Sequence, residues 1–433
     1  MTVRRSATAA VIAVAAVMIF HAAAIAHVAL LASQPAANSV LPASPPSLRL
    51  EFSEPVEPAV AHLSIVEAAG RTIPLTPAND PHDAHVIVAA VPTLAPGGYR
   101  VQWHVVSEDG HPVGGSFTFT VGSAAIPPPA VPGDPQQTTW GPTLDGAPLI
   151  PAMLRGAGVT ALAAMSGLLF YLAAFGVRAG SRPARVALWL SLIVPVALGA
   201  HLWAWLINAS PDHRVSGAWV SSALGTSVGR TELWCALLSL PPLWALGLAR
   251  RPVAALVLAI PALFASAVAG HAAAFRPAWS IPSKALHIAA LSAWLGGLVW
   301  LAVRERNDSA RYAREASRVS AVALWAVIAI VVSGVLQAAL LVPSWAGLRS
   351  PYGVVVLAKV AGVCVLVAFG AYHRVRVLPR LGMARHHGET FGASLRAEIA
   401  VLVLVALLGG LLSYLSPPAS NRAARAIPSG PSS

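Results

Sequence analysis

The chain has 433 residues, 56% of them hydrophobic and only 11% charged, with a formal net charge of +12. Soluble domains carry about 25% charged residues, so an ordinary soluble fold is excluded and a membrane protein is implied. The positive charge is almost wholly arginine, with lysine only at Lys284 and Lys359, scattered among apolar runs; that pattern fixes membrane orientation and argues against nucleic-acid binding. The two cysteines, Cys235 and Cys364, both lie inside apolar runs and offer neither a disulfide framework nor a CxxC zinc site.

Residues 1–26, MTVRRSATAAVIAVAAVMIFHAAAIA, have an Arg4-Arg5 start, an apolar stretch and a small-x-small ending at Ala24-Ile25-Ala26. This is the pattern of a secretory signal peptide, and cleavage after Ala26 makes His27 the new N-terminus. An uncleaved signal anchor is the competing reading, and N-terminal sequencing separates the two.

Residues 27–122 change character. Short alternating segments, SLRLEFSE (47–54), HLSIVEA (62–68), AHVIVAAV (84–91), GYRVQWHVV (98–106) and GSFTFTV (115–121), are separated by Pro, Gly, Asn and Asp turns. Regularly spaced strands of this kind predict an exported, all-β, Ig-like sandwich with Tyr99, Val101, Trp103 and Val105 on one face of their strand. Residues 123–150 are rich in Pro and Gly and read as a linker.

An all-α membrane domain is expected over 151–416, followed by a polar tail at 417–433. Apolar runs near 152–177, 184–208, 228–249, 252–271, 282–303, 318–342, 352–373 and 393–415 predict eight transmembrane helices. The loops after helices 1, 3, 5 and 7 hold fourteen arginines, whereas the opposite loops hold only Arg214, Arg230, Arg276, Arg349 and Lys284. The positive-inside rule therefore places the N-terminal domain and the C-terminus on the extracytoplasmic side of the cell membrane.

Metal chemistry enters at two points. A mature N-terminal His27 offers its α-amino group and imidazole Nδ1 to one ion, which an internal histidine cannot do. In SEDGHPVGG (107–115), Asp109 and His111 are two residues apart and on an extended segment point to one side. An amine, two imidazoles and a carboxylate favour a tetragonal arrangement, which suits Cu(II). The competing reading of this segment is a turn in which Asp109 caps backbone amides and His111 is solvated.

The segments AHVALLASQPAANSVLPASPPSLRLEFSEPVEP (26–58) and GYRVQWHVVSEDGHPVGGSFTFTV (98–121) resemble the periplasmic copper-binding family CopC. That resemblance implies that His27, Glu54, Asp109 and His111 surround Cu(II), with Glu54 the weakest of them because some members lack it in the coordination shell. No Met occurs between residues 27 and 152, which argues against a thioether Cu(I) site in this domain. His62, His82, His85 and His104 are left as secondary ligands or solvated surface residues.

AGHAAAFRPAWSIPSKALHIAALSAWLGGLVW (269–300) and SPYGVVVLAKVAGVCVLVAFGAYHRVRVLPRL (350–381) are similar to the membrane copper-resistance family CopD. The two resemblances together match a CopC–CopD fusion. Ionisable residues within membrane spans default to functional candidates. His201, His271 and His287 fall at similar depth toward the exported side, with Glu232, Gln337 and Lys359, and are expected to form a copper acceptor site or else to hydrogen-bond at the interface. Lys284 shares a helix face with His287 and is expected to snorkel to the interface. The WLGGL run (294–298) is expected to admit close helix packing. Cys235, Met165 and Cys364 are soft Cu(I) ligands by type but lack paired spacing and read as core, and His386-His387, on the inner side, reads as a solvated loop, with a cytoplasmic release site as the alternative.

The function expected is copper handling at the envelope: capture of Cu(II) from solution or from a periplasmic donor, then transfer to the membrane domain for import. The protein is not expected to be an enzyme. Sequestration without transport is the alternative. A copper- and haem-dependent membrane oxidoreductase is disfavoured, because a carboxylate would fill the room an oxygen substrate needs and no bis-His haem pair is evident. No P-loop is present for ATP use.

Overall fold

The computed structural model describes residues 29–107, 110–122, 142–144, 147–176, 180–270, 276–305, 308–380, 386–415 and 417–418. The chain divides into two units, one combining Leu149–Leu202 with Thr231–Leu415, the other combining the described part of Ile25–Pro148 with Trp203–Arg230.

The β unit is a two-sheet sandwich. Strands β1 (Leu30–Gln34), β2 (Val40–Leu41), β3 (Ser47–Phe52), β4 (His62–Glu67), β5 (Thr72–Leu75), β6 (Ala78–Asp80), β7 (Asp83–Ala90), β8 (Gly97–Val106) and β9 (Pro112–Val121) run in chain order. One sheet is β1-β3-β7-β6 and the other β2-β9-β8-β4-β5. Pairing is antiparallel except for β2 against β9. Alternation decides the faces: Leu48, Leu50 and Phe52 of β3 and Val101, Trp103 and Val105 of β8 are all buried between the sheets. Each such side chain contributes about 1.5–3 kcal/mol by leaving water. Phe52 meets Trp103 edge-on at 5.3 Å, and Tyr99 stacks on Phe119 at 5.5 Å. Gly115 faces Trp103 across the β8–β9 pair, where a Cβ would come within 2.5 Å of the indole. The bulky ring therefore requires glycine opposite it.

The helices are α1 (Leu149–Ala174), α2 (Arg182–Ala209), α3 (Gly217–Gly225), α4 (Ser227–Leu237), α5 (Leu240–Gly247), α6 (Pro252–Val268), α7 (Pro277–Val303), α8 (Ser309–Leu341), α9 (Pro351–Tyr372) and α10 (His386–Leu412). Among the described residues, six helices are long and apolar enough to cross a membrane. The difference from eight lies at 228–249 and 252–271. Pro241-Pro242 supplies no backbone N–H and crowds the preceding turn, so the first of these runs breaks into α4 and α5 around Leu238-Ser239. The second yields α6, whose 17 residues span only about 26 Å against a hydrocarbon core of roughly 30 Å.

Helix α1 is the centre of the membrane unit. A Cβ on its Gly167 would lie 1.8 Å from the Ser292 carbonyl oxygen of α7, and one on Gly296 would lie 2.2 Å from the Gly167 carbonyl carbon. On another face, a Cβ on Gly410 of α10 would fall 2.3 Å from the Ala152 carbonyl oxygen. Backbones touch at these crossings, the packing role expected of the WLGGL run. Large apolar side chains such as Ile193, Val257, Trp325, Val335 and Val360 face outward, as lipid contact requires.

Candidate metal centre and buried polar clusters

Three segments far apart in sequence are stitched together at one end of the sandwich. Ala29 donates its N–H to Ser53 Oγ at 2.9 Å and accepts from the Ser53 N–H at 2.9 Å, which fixes the chain two residues after position 27 beside the Phe52-Ser53-Glu54 run. Val56 forms an isolated antiparallel bridge with Ser107. Ser107 then closes a turn: its N–H donates to the His111 carbonyl at 3.0 Å, and Gly110 N–H donates to the Ser107 carbonyl at 2.8 Å. Gly110 holds φ +96°, a left-handed conformation that glycine alone adopts cheaply.

The turn is real, but His111 is not solvated: it is 5% exposed. Its N–H donates to Ser107 Oγ at 3.2 Å. Glu54 is half-buried. His27 and Asp109 lie outside the described residues, as does His271. Imidazole and carboxylate, the donor types of His111 and Glu54, are ones that a borderline metal such as Cu(II) accepts.

The 203–230 segment of the same unit contacts this turn. Trp205 Nε1 donates to the Gly110 carbonyl at 2.9 Å, and a Cβ on Gly110 would lie 2.9 Å from Val228 Cγ1. Glu57 accepts from Ser227 N–H at 2.9 Å and from Ser227 Oγ at 2.5 Å, at the start of α4. A carboxylate at a helix N-terminus is favoured by the unpaired amides there.

The remaining sandwich histidines separate into two kinds. His82 and His85 are exposed and bonded locally, His85 Nδ1 lying 2.9 Å from Asp83 Oδ1. His62 and His104 pair in register across β4 and β8 with ring centroids 6.3 Å apart. Burial, and then the charges of His62 and His213, push His104 down to about 4, so it is neutral at ordinary pH.

In the membrane unit His201 is 1% exposed and both of its ring nitrogens face protein partners. Nδ1 lies 3.2 Å from Glu232 Oε2, and Nε2 is 2.8 Å from the Tyr414 hydroxyl. Glu232 also pairs with Arg155 of α1, a partner sequence reading did not supply. The signal existed, since a lone Arg and a lone Glu within apolar spans each need an opposite charge. His287 Nδ1 is 2.9 Å from Ser333 Oγ. Lys284 Nζ donates to the Ala269 carbonyl at 2.5 Å, just past the end of α6. Gln337 bonds the Ser333 carbonyl within its own helix. Among the described residues no group of three or more His, Cys, Asp or Glu is placed to hold a metal ion.

Comparison with known proteins agrees with this architecture. The CopC domain model matches residues 30–122, and the Copper resistance protein D model matches residues 313–412. Protein YobA of Escherichia coli K12 is 40% identical over 98 residues, covering 22% of this chain and 79% of that protein. Copper resistance protein C of Xanthomonas campestris pv. juglandis is 35% identical over 126 residues, covering 27% of this chain and 96% of that one. Copper transport protein CutJ of Bacillus subtilis is 27% identical over 418 residues, covering 91% of this chain and 75% of that protein. With a copper-resistance sandwich at one end and a copper-resistance membrane module at the other, the chain belongs to the CopC–CopD fusion family of copper resistance and transport proteins.

Proposed function

We propose that the exported sandwich captures Cu(II) and passes copper to the membrane unit for import. The observation that carries this reading is the convergence of Ala29, Ser53 and the Ser107–His111 turn, which supports a shared site for donors spread over 27–111. In it the α-amino group and imidazole of a processed His27, the Asp109 carboxylate and the His111 imidazole hold the ion, with Glu54 at its edge. Buried His111 contributes an imidazole whose backbone is already held by the Ser107 turn. His287 and His271 serve as acceptors in the membrane unit, while His201, held by Glu232 and Tyr414, orients that cluster rather than leaving it to ligate.

The test combines two measurements on one variant set. Copper accumulation under copper limitation should fall on deletion of the protein and in His287→Ala, whereas Cu(II) binding by the processed sandwich should survive His287→Ala and be lost in His111→Ala. Accumulation unchanged by deletion excludes import and leaves sequestration. Blocking cleavage after Ala26 should abolish tight Cu(II) binding although every side chain is retained.

A further inference from the structure

At the other end of the membrane unit is a second buried His–carboxylate pair. His373 is the first residue of a π turn, His373–Val377, that follows α9, and Glu398 lies on α10. His373 is 7% exposed and Glu398 2%. His373 Nδ1 lies 2.9 Å from Glu398 Oε2, and its Nε2 is 2.9 Å from Ser394 Oγ. Ser394 in turn donates to the Phe391 carbonyl at 3.0 Å. Phe391 packs edge-on to the imidazole at 5.2 Å, with Phe369 at 6.3 Å and Tyr372 at 5.9 Å. An imidazole and a carboxylate are therefore held in apolar surroundings, on an irregular turn of a kind that recurs at functional sites.

Position separates this pair from the His201 cluster. Tyr414 stands sixteen positions beyond Glu398 along α10 and its C-terminal turn, a rise of roughly 24 Å, most of the hydrocarbon thickness. The His373 end is the arginine-rich one. Among the described residues, the other charged and titratable groups on the elements packed there include exposed Arg374, Arg376 and Arg396, Tyr372, Tyr312 and Glu315. Tyr312 donates to the Leu301 carbonyl, and Glu315 is held by Arg304 at 3.1 Å and Arg311 at 3.0 Å. Among the described residues neither His373 nor Glu398 has an ion-pair partner besides the other. Such pairs inside a helical bundle mark ion paths and proton relays.

We propose that His373 and Glu398 form a proton-exchange pair that couples release of the transported cation at this end to uptake of one proton. The inference rests on the reading that the unit moves copper. With imidazole neutral and Glu398 ionised, the pair carries one negative charge and attracts a cation. The Ser394 hydroxyl turns from the Phe391 carbonyl to His373 Nε2 and passes on a proton from the arginine-rich side, and the Nδ1 proton moves to Glu398 Oε2, 2.9 Å away. The pair is then neutral, having gained one proton, and the cation leaves.

The experiment uses the full-length protein in liposomes with copper supplied as Cu(II), with and without ascorbate, and follows flux toward the His373 side as that side is acidified. Wild-type flux should rise with acidity, by up to about tenfold per pH unit, the limit for a one-proton step. Glu398→Gln and His373→Gln should abolish that dependence. In parallel, pH-difference infrared spectra should show a carboxyl band that Glu398→Gln removes. A pH dependence that survives Glu398→Gln, or a pH-dependent carboxyl spectrum unaltered by it, overturns the proposal. If the wild type carries no copper, the import reading fails, and the infrared result alone decides the pair. Should Glu398→Gln not fold, Ser394→Ala leaves the His373–Glu398 contact in place and decides by the same flux measurement: a weakened pH dependence supports the relay, an unchanged one overturns it.

Discussion

His104 offers the most direct test of the sandwich energetics. Its ring is half-buried in β8 opposite His62, and among the described residues its Nδ1 has no hydrogen-bond partner. Its pKa is lowered from the ordinary 6.5 to about 4, first by burial, then by His62 and His213. In the unfolded chain the imidazole protonates below about 6.5, but in the folded one only below about 4. Between those values the unfolded state holds more protons, so stability present at neutral pH is lost as pH falls. The gap from 6.5 to about 4, at about 1.4 kcal/mol per pH unit, comes to the order of 3 kcal/mol. Hydrogen exchange of β8 amides in the metal-free full-length protein, corrected for intrinsic exchange, measures this opening free energy against pH. His104→Leu removes the titrating group without breaking a side-chain hydrogen bond to its Nδ1 among the described residues, and should flatten the curve across that window. If the variant keeps the wild-type loss, or the wild type shows none, the reasoning fails.

Gly110→Ala should cost about 1–2 kcal/mol in left-handed backbone strain, and more from the Val228 contact at 2.9 Å, weakening Cu(II) binding by titration calorimetry; adding Val228→Ala should recover only the steric part. Glu232→Gln leaves the buried Arg155 guanidinium unpaired and should cost about 3–5 kcal/mol, seen as a lower melting temperature in detergent, while the paired replacement Arg155→Met with Glu232→Met should recover much of it. Gly167→Ala forces α1 and α7 apart, because its Cβ would overlap the Ser292 carbonyl; size-exclusion profiles should lose the monodisperse peak.

Much of this protein is legible from local pattern. The strands of 47–121 announce themselves because burying one face of a strand imposes a period of two, and Tyr99, Val101, Trp103 and Val105 point inward as that period demands. The long apolar runs give most of the spans by length alone. The expected eight runs and the six long helices among the described residues part where composition and backbone chemistry disagree: 228–249 is apolar enough to cross, but Pro241-Pro242 cannot sustain one helix. Lys284 shows a related limit: the carbonyl that accepts its hydrogen bond belongs to Ala269, beyond the reach of any spacing rule.

The candidate metal centre divides the same way. The residue types and their local order, His27 after the expected cleavage point and Asp109-Gly110-His111 in sequence, are read from the chain itself, because chelation by an N-terminus and left-handed glycine geometry are local facts. Which strands carry those segments to one place is decided by sheet pairing, through Ala29 with Ser53 and Val56 with Ser107. The ion pairs of the membrane unit are further still from the sequence. It says that Arg155, Glu232, His373 and Glu398 must find partners in an apolar medium. Only helix packing chooses them, joining positions 77 apart in one pair and His373 to a residue of the following helix in the other, because a buried charge is satisfied by whatever its neighbouring helix presents at the same depth.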